Sequence, residues 1–175
     1  MKNEKPSILS VDEAEIEIVA IATYNTTVKV MAKRNYEGGK SFPWDVVSPY
    51  DLFFRWGELA KPEHDNILNK IDYGYVERKA NLKLLMNETK FYNSYRSYQS
   101  NTHAVILDED IKDLIKKIEI GDIVHFDGYL VKVISRTQGF QDTTWGGETD
   151  ITNAGIDLFS SCETFFITNA ILYTD

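Results

Sequence analysis

From Ala14 the chain reads AEIEIVAIATY and then NTTVKVMAKRNY, with apolar and polar residues exchanging places at nearly every step. A period of two puts one residue class on one side only if the backbone is extended, so this region commits the chain to a sheet. The two runs predict a hairpin turning near Asn25. A second hairpin is predicted in GDIVHFDGYLVKVISR, residues 121–136, where two β-prone runs meet at Asp127-Gly128, a dipeptide that favours a type I′ turn. Gly121-Asp122 supplies the turn before it. YVERKANLKLLM, residues 75–86, and the run from Ser161 to Tyr173 read as further strands.

Helix signals stand between these runs. In SPYDLFFRWGELA, residues 48–60, Ser48 can cap, Pro49 suits a first helical position and Asp51 complements the amino-terminal dipole, which predicts a helix over 48–59. HDNILNKI adds a helical turn, and DEDIKDLIKKI reads as a helix capped by Asp108 with Ile111, Leu114, Ile115 and Ile118 on its apolar face. The expected fold class is therefore α+β. It is a curved, mainly antiparallel sheet or partial β-barrel with two or three covering helices, in one domain over 14–175 behind a polar arm at 1–13. A length of 175 residues suits a single core.

Charge narrows the function classes. With 27 acidic against 19 basic residues the formal charge is −8, which disfavours binding to a phosphate backbone, since such binding relies on clustered Lys and Arg. Lys33-Arg34 and Lys116-Lys117 are too short to change that. The single cysteine excludes an internal disulfide framework. The start, MKNEKPSILSVDEAEIEIVAIATY, has neither a signal-peptide core nor a transmembrane segment and points to the cytoplasm; a cell-envelope location would require a removed leader or anchor.

Chemistry-bearing residues fall in the less regular segments. KFYNSYRSYQ places Tyr92, Tyr95 and Tyr98 three apart, as a core stripe or a pocket wall. The segment 137–159, with Trp145 and Asp157, is long, glycine-containing and weakly periodic, which suits a site wall. Cys162 lies in SSCETFFIT, and the alternation of a strand sets it on one side with Thr164 and Phe166, opposite Glu163, Phe165 and Ile167. Glu163 on an apolar side needs a partner, for which Arg55 and Arg136 are the candidates. Cys162 as a small core residue is the plain reading; as a nucleophile it would need a base, for which His103 is the candidate, with Asn101 or a loop amide holding an oxyanion. A metal held by His103, His125, Asp127 and Glu163 has no ligand spacing to support it, and no metal or cofactor is expected. Asp150, Asp157 and Glu163 as paired acids carry little weight in so acidic a chain.

Ser48-Pro49 with Asp51-Leu52, then Trp56-Gly57, Ser100-Asn101-Thr102-His103, Gly121-Asp122-Ile123-Val124 with Gly128-Tyr129-Leu130-Val131, an isolated Trp145 and finally Cys162-Glu163 form an ordered set. In that order the chain resembles a family of uncharacterised bacterial proteins, several of them associated with the cell envelope, over residues 48 to about 168. The resemblance implies a shared fold and a shared cleft, and no established activity. It departs after Trp145, where the family has a Ser-rich stretch with an arginine and a Gly-Ala-Cys-Glu ending. Here GGETDITNAGIDLFSSCE has no arginine, so no role of that arginine carries over.

The leading expectation is a non-catalytic binding or accessory domain that holds a small ligand or peptide in an aromatic-lined cleft. Trp56, Tyr92, Tyr95, Tyr98, His103, Trp145, Asp157 and Glu163 would wall it. The alternatives are a cysteine-dependent hydrolase using Cys162 and His103, and a structural subunit of a larger assembly showing an exposed apolar patch or strand edge.

Overall fold

The computed structural model describes residues 7–11, 14–38, 43–76, 78–83, 98–135, 144–145 and 162–173. In chain order the elements are β1 (Ser7–Val11), β2 (Ala14–Asn35), β3 (Tyr50–Arg55), α1 (Asp65–Leu68), β4 (Asp72–Val76), β5 (Lys79–Lys83), β6 (Gln99–Val105), α2 (Glu109–Lys117), β7 (Ile123–Ser135), β8 (Thr144–Trp145) and β9 (Cys162–Tyr173), with 3-10 turns at Pro43–Val46, Gly57–Ala60 and Pro62–His64. The architecture is predominantly β. A mixed sheet runs in the order β1-β2-β3-β6-β9-β7-β8, β2 also pairs with β7, and β4-β5 form a separate two-stranded sheet. Every pairing is antiparallel except β6 with β9, which is parallel.

Both expected hairpins prove to be single strands. β2 continues straight through Asn25, pairing with β7 from Ile16 to Lys29 and bending at irregularities between Ala20 and Ala22 and between Val30 and Ala32. β7 likewise continues through Asp127-Gly128, where the register against β9 shifts. Gly128 is needed for a close approach: a Cβ there would lie 1.9 Å from the Phe166 carbonyl oxygen and 2.9 Å from the Phe165 ring. An Asp-Gly pair thus marks a bulge in this chain.

The helix expected over 48–59 is β3. Its six residues are all buried, because Tyr50, Leu52 and Phe54 enter the main core with Val28, Phe126 and Phe165, while Asp51, Phe53 and Arg55 face the other way. Pairing with β2 on one side and β6 on the other satisfies every backbone group along the strand, and this outweighs the local capping signals of Ser48 and Asp51. The strand expected over 75–86 spans the turn of a hairpin, with Tyr75 and Val76 ending β4 and Lys79–Lys83 forming β5, and Tyr73 and Tyr75 pack on Met31, Ala32 and Phe53.

The helix at 109–117 is as expected. Asp108 accepts from the amides of Asp110 and Ile111 at 2.8 and 3.2 Å, and Ile115 with Ile118 closes one end of the main core. Lys33 donates to the carbonyls of Ile115, Lys116 and Ile118, so a cation sits at the helix's negative end. Among the described residues the α-helices are α1, of 4 residues, and α2, of 9, and the fold is predominantly β rather than an even mixture of helix and sheet. No described helix is long and apolar enough to cross a membrane.

Candidate functional site

Three neighbouring strands bring their polar residues to one face. The register sets Asp51 of β3 opposite His103 of β6, and Asn101 opposite Cys162 at the start of β9. Alternation therefore puts Asp51, Asn101, His103, Cys162 and Thr164 on one side of the sheet, away from the main core. Two apolar clusters flank them, one containing Val47 and Val105 with Phe166 against it, the other Met31, Ala32 and Phe53.

His103 is buried and its Nδ1 lies 2.8 Å from Oδ1 of Asp51, a fully buried carboxylate. His103 and Cys162 stand close enough on this face for each to shift the proton affinity of the other. Asn101 donates from Nδ2 to the Cys162 sulfur at 3.4 Å and to the backbone oxygen of Arg78 at 3.1 Å. Cys162 itself is partly exposed. Burial pulls the His103 ring down, but its hydrogen bonds to Asp51 and Cys162 outweigh burial and hold it above the ordinary histidine range. Burial pushes the Cys162 thiol up, and the hydrogen bond and charge of His103, aided by Asn101, reverse this and bring it below the ordinary cysteine range. The two shifts favour the same state, a thiolate beside an imidazolium.

The β4-β5 hairpin supplies the rest of the shell. Arg78, in its turn, has a left-handed backbone with φ of 63°. Its guanidinium donates to Asp51 Oδ1 at 2.9 Å, to Asp45 Oδ1 at 2.5 and 3.1 Å and to the Ser48 carbonyl at 2.7 Å. It also stacks over Tyr36 with 4.0 Å to the ring centroid. The Tyr36 hydroxyl is pushed up to about 12 by burial and then by the charge of Asp51. Tyr75, from β4, has a buried hydroxyl without a hydrogen-bond partner and is raised by burial, then by Asp51, Tyr36 and Cys162. Asp51 Oδ2, Asn101 Oδ1 and Thr164 Oγ1 are likewise buried with no hydrogen-bond partner among the described residues.

Of the residues expected at a site, the structure brings Asn101, His103 and Cys162 together. Trp56 packs on Phe54 at 6.1 Å and on the main core, and its amide bonds the Tyr98 carbonyl, so Trp56 and Tyr98 sit at the far end of β3, five residues and about 17 Å from Asp51 at the rise of an extended strand. Glu163 faces the main core. Among the described residues the group that acts on it is Tyr24 and not Arg55, and burial raises its carboxyl to about 7. Arg55 instead lies 3.8 Å from Asp65, while Arg136 is outside the described residues, as are Tyr92, Tyr95, Asp150 and Asp157. Trp145 is placed only by its pairing with Val133. The four residues weighed for a metal do not converge: His125 bonds Thr27 at 2.8 Å and lies 3.3 Å from Asp127 on an exposed patch, and Glu163 points away from His103. Among the described residues, Glu58, Glu63 and His64 have ligand atoms within 4.8 Å of one another, on the turns after β3 where Lys61 already pairs with Glu58 at 2.7 Å. A cavity of about 500 Å³ opens between Lys29, Met31, Ile71 and Tyr73, and Trp56, Tyr98, His103 and Glu163, the described residues expected to wall a cleft, do not line it.

Sequence reasoning missed Asp45, Asp51, Tyr75 and Arg78. Asn101-x-His103 and Cys162-x-Thr164 show the same polar alternation on two strands, whereas Asp51-x-Phe53 does not, and Asp51 reads instead as a helix-start residue. Arg78 carries no comparable mark. Compared with protein-family models, with curated proteins and with solved structures, the chain matches none.

Proposed function

We propose that the chain is a cysteine-dependent acyl hydrolase or acyltransferase. Cys162 is the nucleophile, His103 its acid and base, Asp51 the group that orients the ring, and Asn101 the donor beside the sulfur. The observation that carries the reading is His103 held at 2.8 Å by the Asp51 carboxylate on the same face as Cys162, whose sulfur accepts from Asn101 at 3.4 Å, all from adjacent strands. In the reaction the sulfur bonds to the acyl carbon, the bond to the leaving oxygen or nitrogen breaks, and the His103 proton goes to the leaving atom. Water, or an acceptor alcohol or amine, then attacks the thioester, gives its proton to His103 and returns the sulfur as thiolate. Asp51, Asn101, His103 and Cys162 each stand in one of the motifs behind the family resemblance, and the proposal takes those motifs as parts of one centre.

The test is a pre-steady-state assay with p-nitrophenyl acetate, followed by mass spectrometry of the protein. A burst of nitrophenol with one acetyl group on Cys162 is expected. His103→Gln is expected to lower the acylation rate at pH 6.5 by about 10²- to 10⁴-fold, the usual worth of a positioned acid or base. A cysteine that reacts only after unfolding, or equally fast in His103→Gln, defeats the reading.

A second reading, a binding domain without chemistry, is favoured by the strand order. Taking β2, β3, β6, β7 and β9 as first to fifth, the pairings run 1-2-3-5-4 and return to 1, with α2 between third and fourth. That is the order of the OB-type five-stranded barrel, in which ligands lie on the outer face of the second and third strands. Here that face carries Asp51, Asn101 and His103. Both readings place the ligand at the same residues, and the acylation assay separates them.

A further inference from the structure

Asp51 does not belong to His103 alone. A single oxygen, Oδ1, lies 2.8 Å from His103 Nδ1 and 2.9 Å from Arg78 Nη1. At its other end the same Arg78 accepts, through its backbone carbonyl, the Asn101 amide that also reaches the Cys162 sulfur. Cys162, His103, Asp51, Arg78 and Asn101 thus form a closed ring, and the residue that closes it is the one non-glycine residue among those described with a positive φ. A left-handed arginine is a costly choice for a turn where glycine would be relaxed, and such strain gathers where a side chain has a task. Among the described residues the charged and titratable groups around the centre are Asp51 from β3, Cys162 from β9, Tyr75 from β4, Arg78 from the hairpin turn, Asp45 from the turn before β3, Tyr36 after β2 and, opposite Asp51 on β2, the exposed Arg34. Arg78 is the buried permanent cation among them, and Asp45 competes with Asp51 for it.

We propose that Arg78 is the positioning residue of this centre: by sharing the Asp51 oxygen with His103 it limits how tightly the carboxylate holds the ring, and by its carbonyl it fixes the Asn101 donor at the sulfur. The inference rests on the thiolate reading of Cys162. Arg78 touches no reacting atom; it acts through Asp51 and Asn101.

Arg78→Gly is the informative variant, because glycine accepts the left-handed backbone and keeps the carbonyl for Asn101 while removing only the cation. With the cation gone, the field of Asp51 acts undivided on its neighbours, favouring protonated His103 and disfavouring the thiolate. Two measurements read this: the imidazole titration of His103 by nuclear magnetic resonance, and the pH profile of Cys162 alkylation by iodoacetamide. In Arg78→Gly both limbs of the profile and the His103 midpoint are expected to move to higher pH by about one unit, a tenfold change in proton affinity. Arg78→Lys is expected to fall between. A far-ultraviolet circular dichroism spectrum matching that of the wild type reports that the fold is intact. Asp45→Asn, which frees the guanidinium for Asp51, is expected to move His103 the opposite way, and it decides the matter if Arg78→Gly does not fold. A His103 midpoint unchanged in Arg78→Gly or in Asp45→Asn overturns the proposal. A wild-type profile with its acid limb at the free-cysteine value of about 8.5 would instead defeat the thiolate reading, while the His103 midpoints still decide whether Arg78 governs Asp51.

Discussion

Cys162 and Glu163 are adjacent in the chain and titratable, yet they face opposite sides of the sheet. Cys162 enters a polar network in which every charge has an opposite one: Arg78 with Asp45 and Asp51, and His103 with Asp51. Glu163 enters the main core beside Phe165, with the Tyr24 hydroxyl as its hydrogen-bond partner and one oxygen without any. Burial is tolerated in two different ways. On the Cys162 side charge is kept and paired, and on the Glu163 side it is discharged by taking up a proton.

Breaking the paired side should cost most. Asp51→Ala leaves the Arg78 and His103 cations buried without their shared partner, and a loss of about 3–5 kcal/mol in urea denaturation at pH 7 is expected. A loss under 1 kcal/mol would mean that the network contributes little to folding.

The discharged side should respond with the opposite sign. The Glu163 carboxyl is raised to about 7 in the folded chain against its ordinary 4.5. The folded state therefore binds the proton more tightly, and the contribution of this group to stability is greatest below about pH 4.5, falls as pH rises to about 7, and is level above. The difference corresponds to about 3 kcal/mol. Glu163→Gln removes it, so the variant should gain on the wild type between pH 4.5 and 7 and stay about 3 kcal/mol ahead at pH 8. Equal stability at pH 5 and pH 8 would show that Glu163 is not buried as a neutral acid.

Smaller changes sharpen the contrast. Tyr24→Phe removes the donor to Glu163 and should cost about 1–2 kcal/mol at pH 8, while moving the Glu163 midpoint further up. Its titration is measurable from the wild-type and variant stability curves. Cys162→Ser should change stability by no more than about 1 kcal/mol, with all acylation lost. A large destabilisation would class Cys162 with the core rather than with the polar network.

Much of the framework is legible in the sequence because it is local. Asp108 and the Ile111-Leu114-Ile115-Ile118 face specify a helix without outside help, and β7 and β9 read as strands from composition and alternation. The errors arise where distant contacts decide. Ser48, Pro49 and Asp51 are sound helix-start signals, but Asp51 spends its carboxylate on Arg78 and His103 and its backbone on β2 and β6. Asp127-Gly128 is a sound turn signal, but the glycine serves the Phe166 carbonyl. Asn101, His103 and Cys162 were readable as a donor, a base and a nucleophile by residue type. Asp51 and Arg78 were not, since only sheet register and a hairpin laid across it unite residues 51, 78, 103 and 162.

The parallel pairing of β6 with β9 has a kinetic consequence. It joins residues 101–105 to residues 162–166, so its loop closes late and slowly compared with the neighbouring antiparallel contacts. Asp51 and His103 can meet as soon as β3 and β6 pair, but the sulfur reaches them only when β9 docks. Thiol activation is then a report on the seating of β9, and a chain that has collapsed without it carries an ordinary, unreactive cysteine.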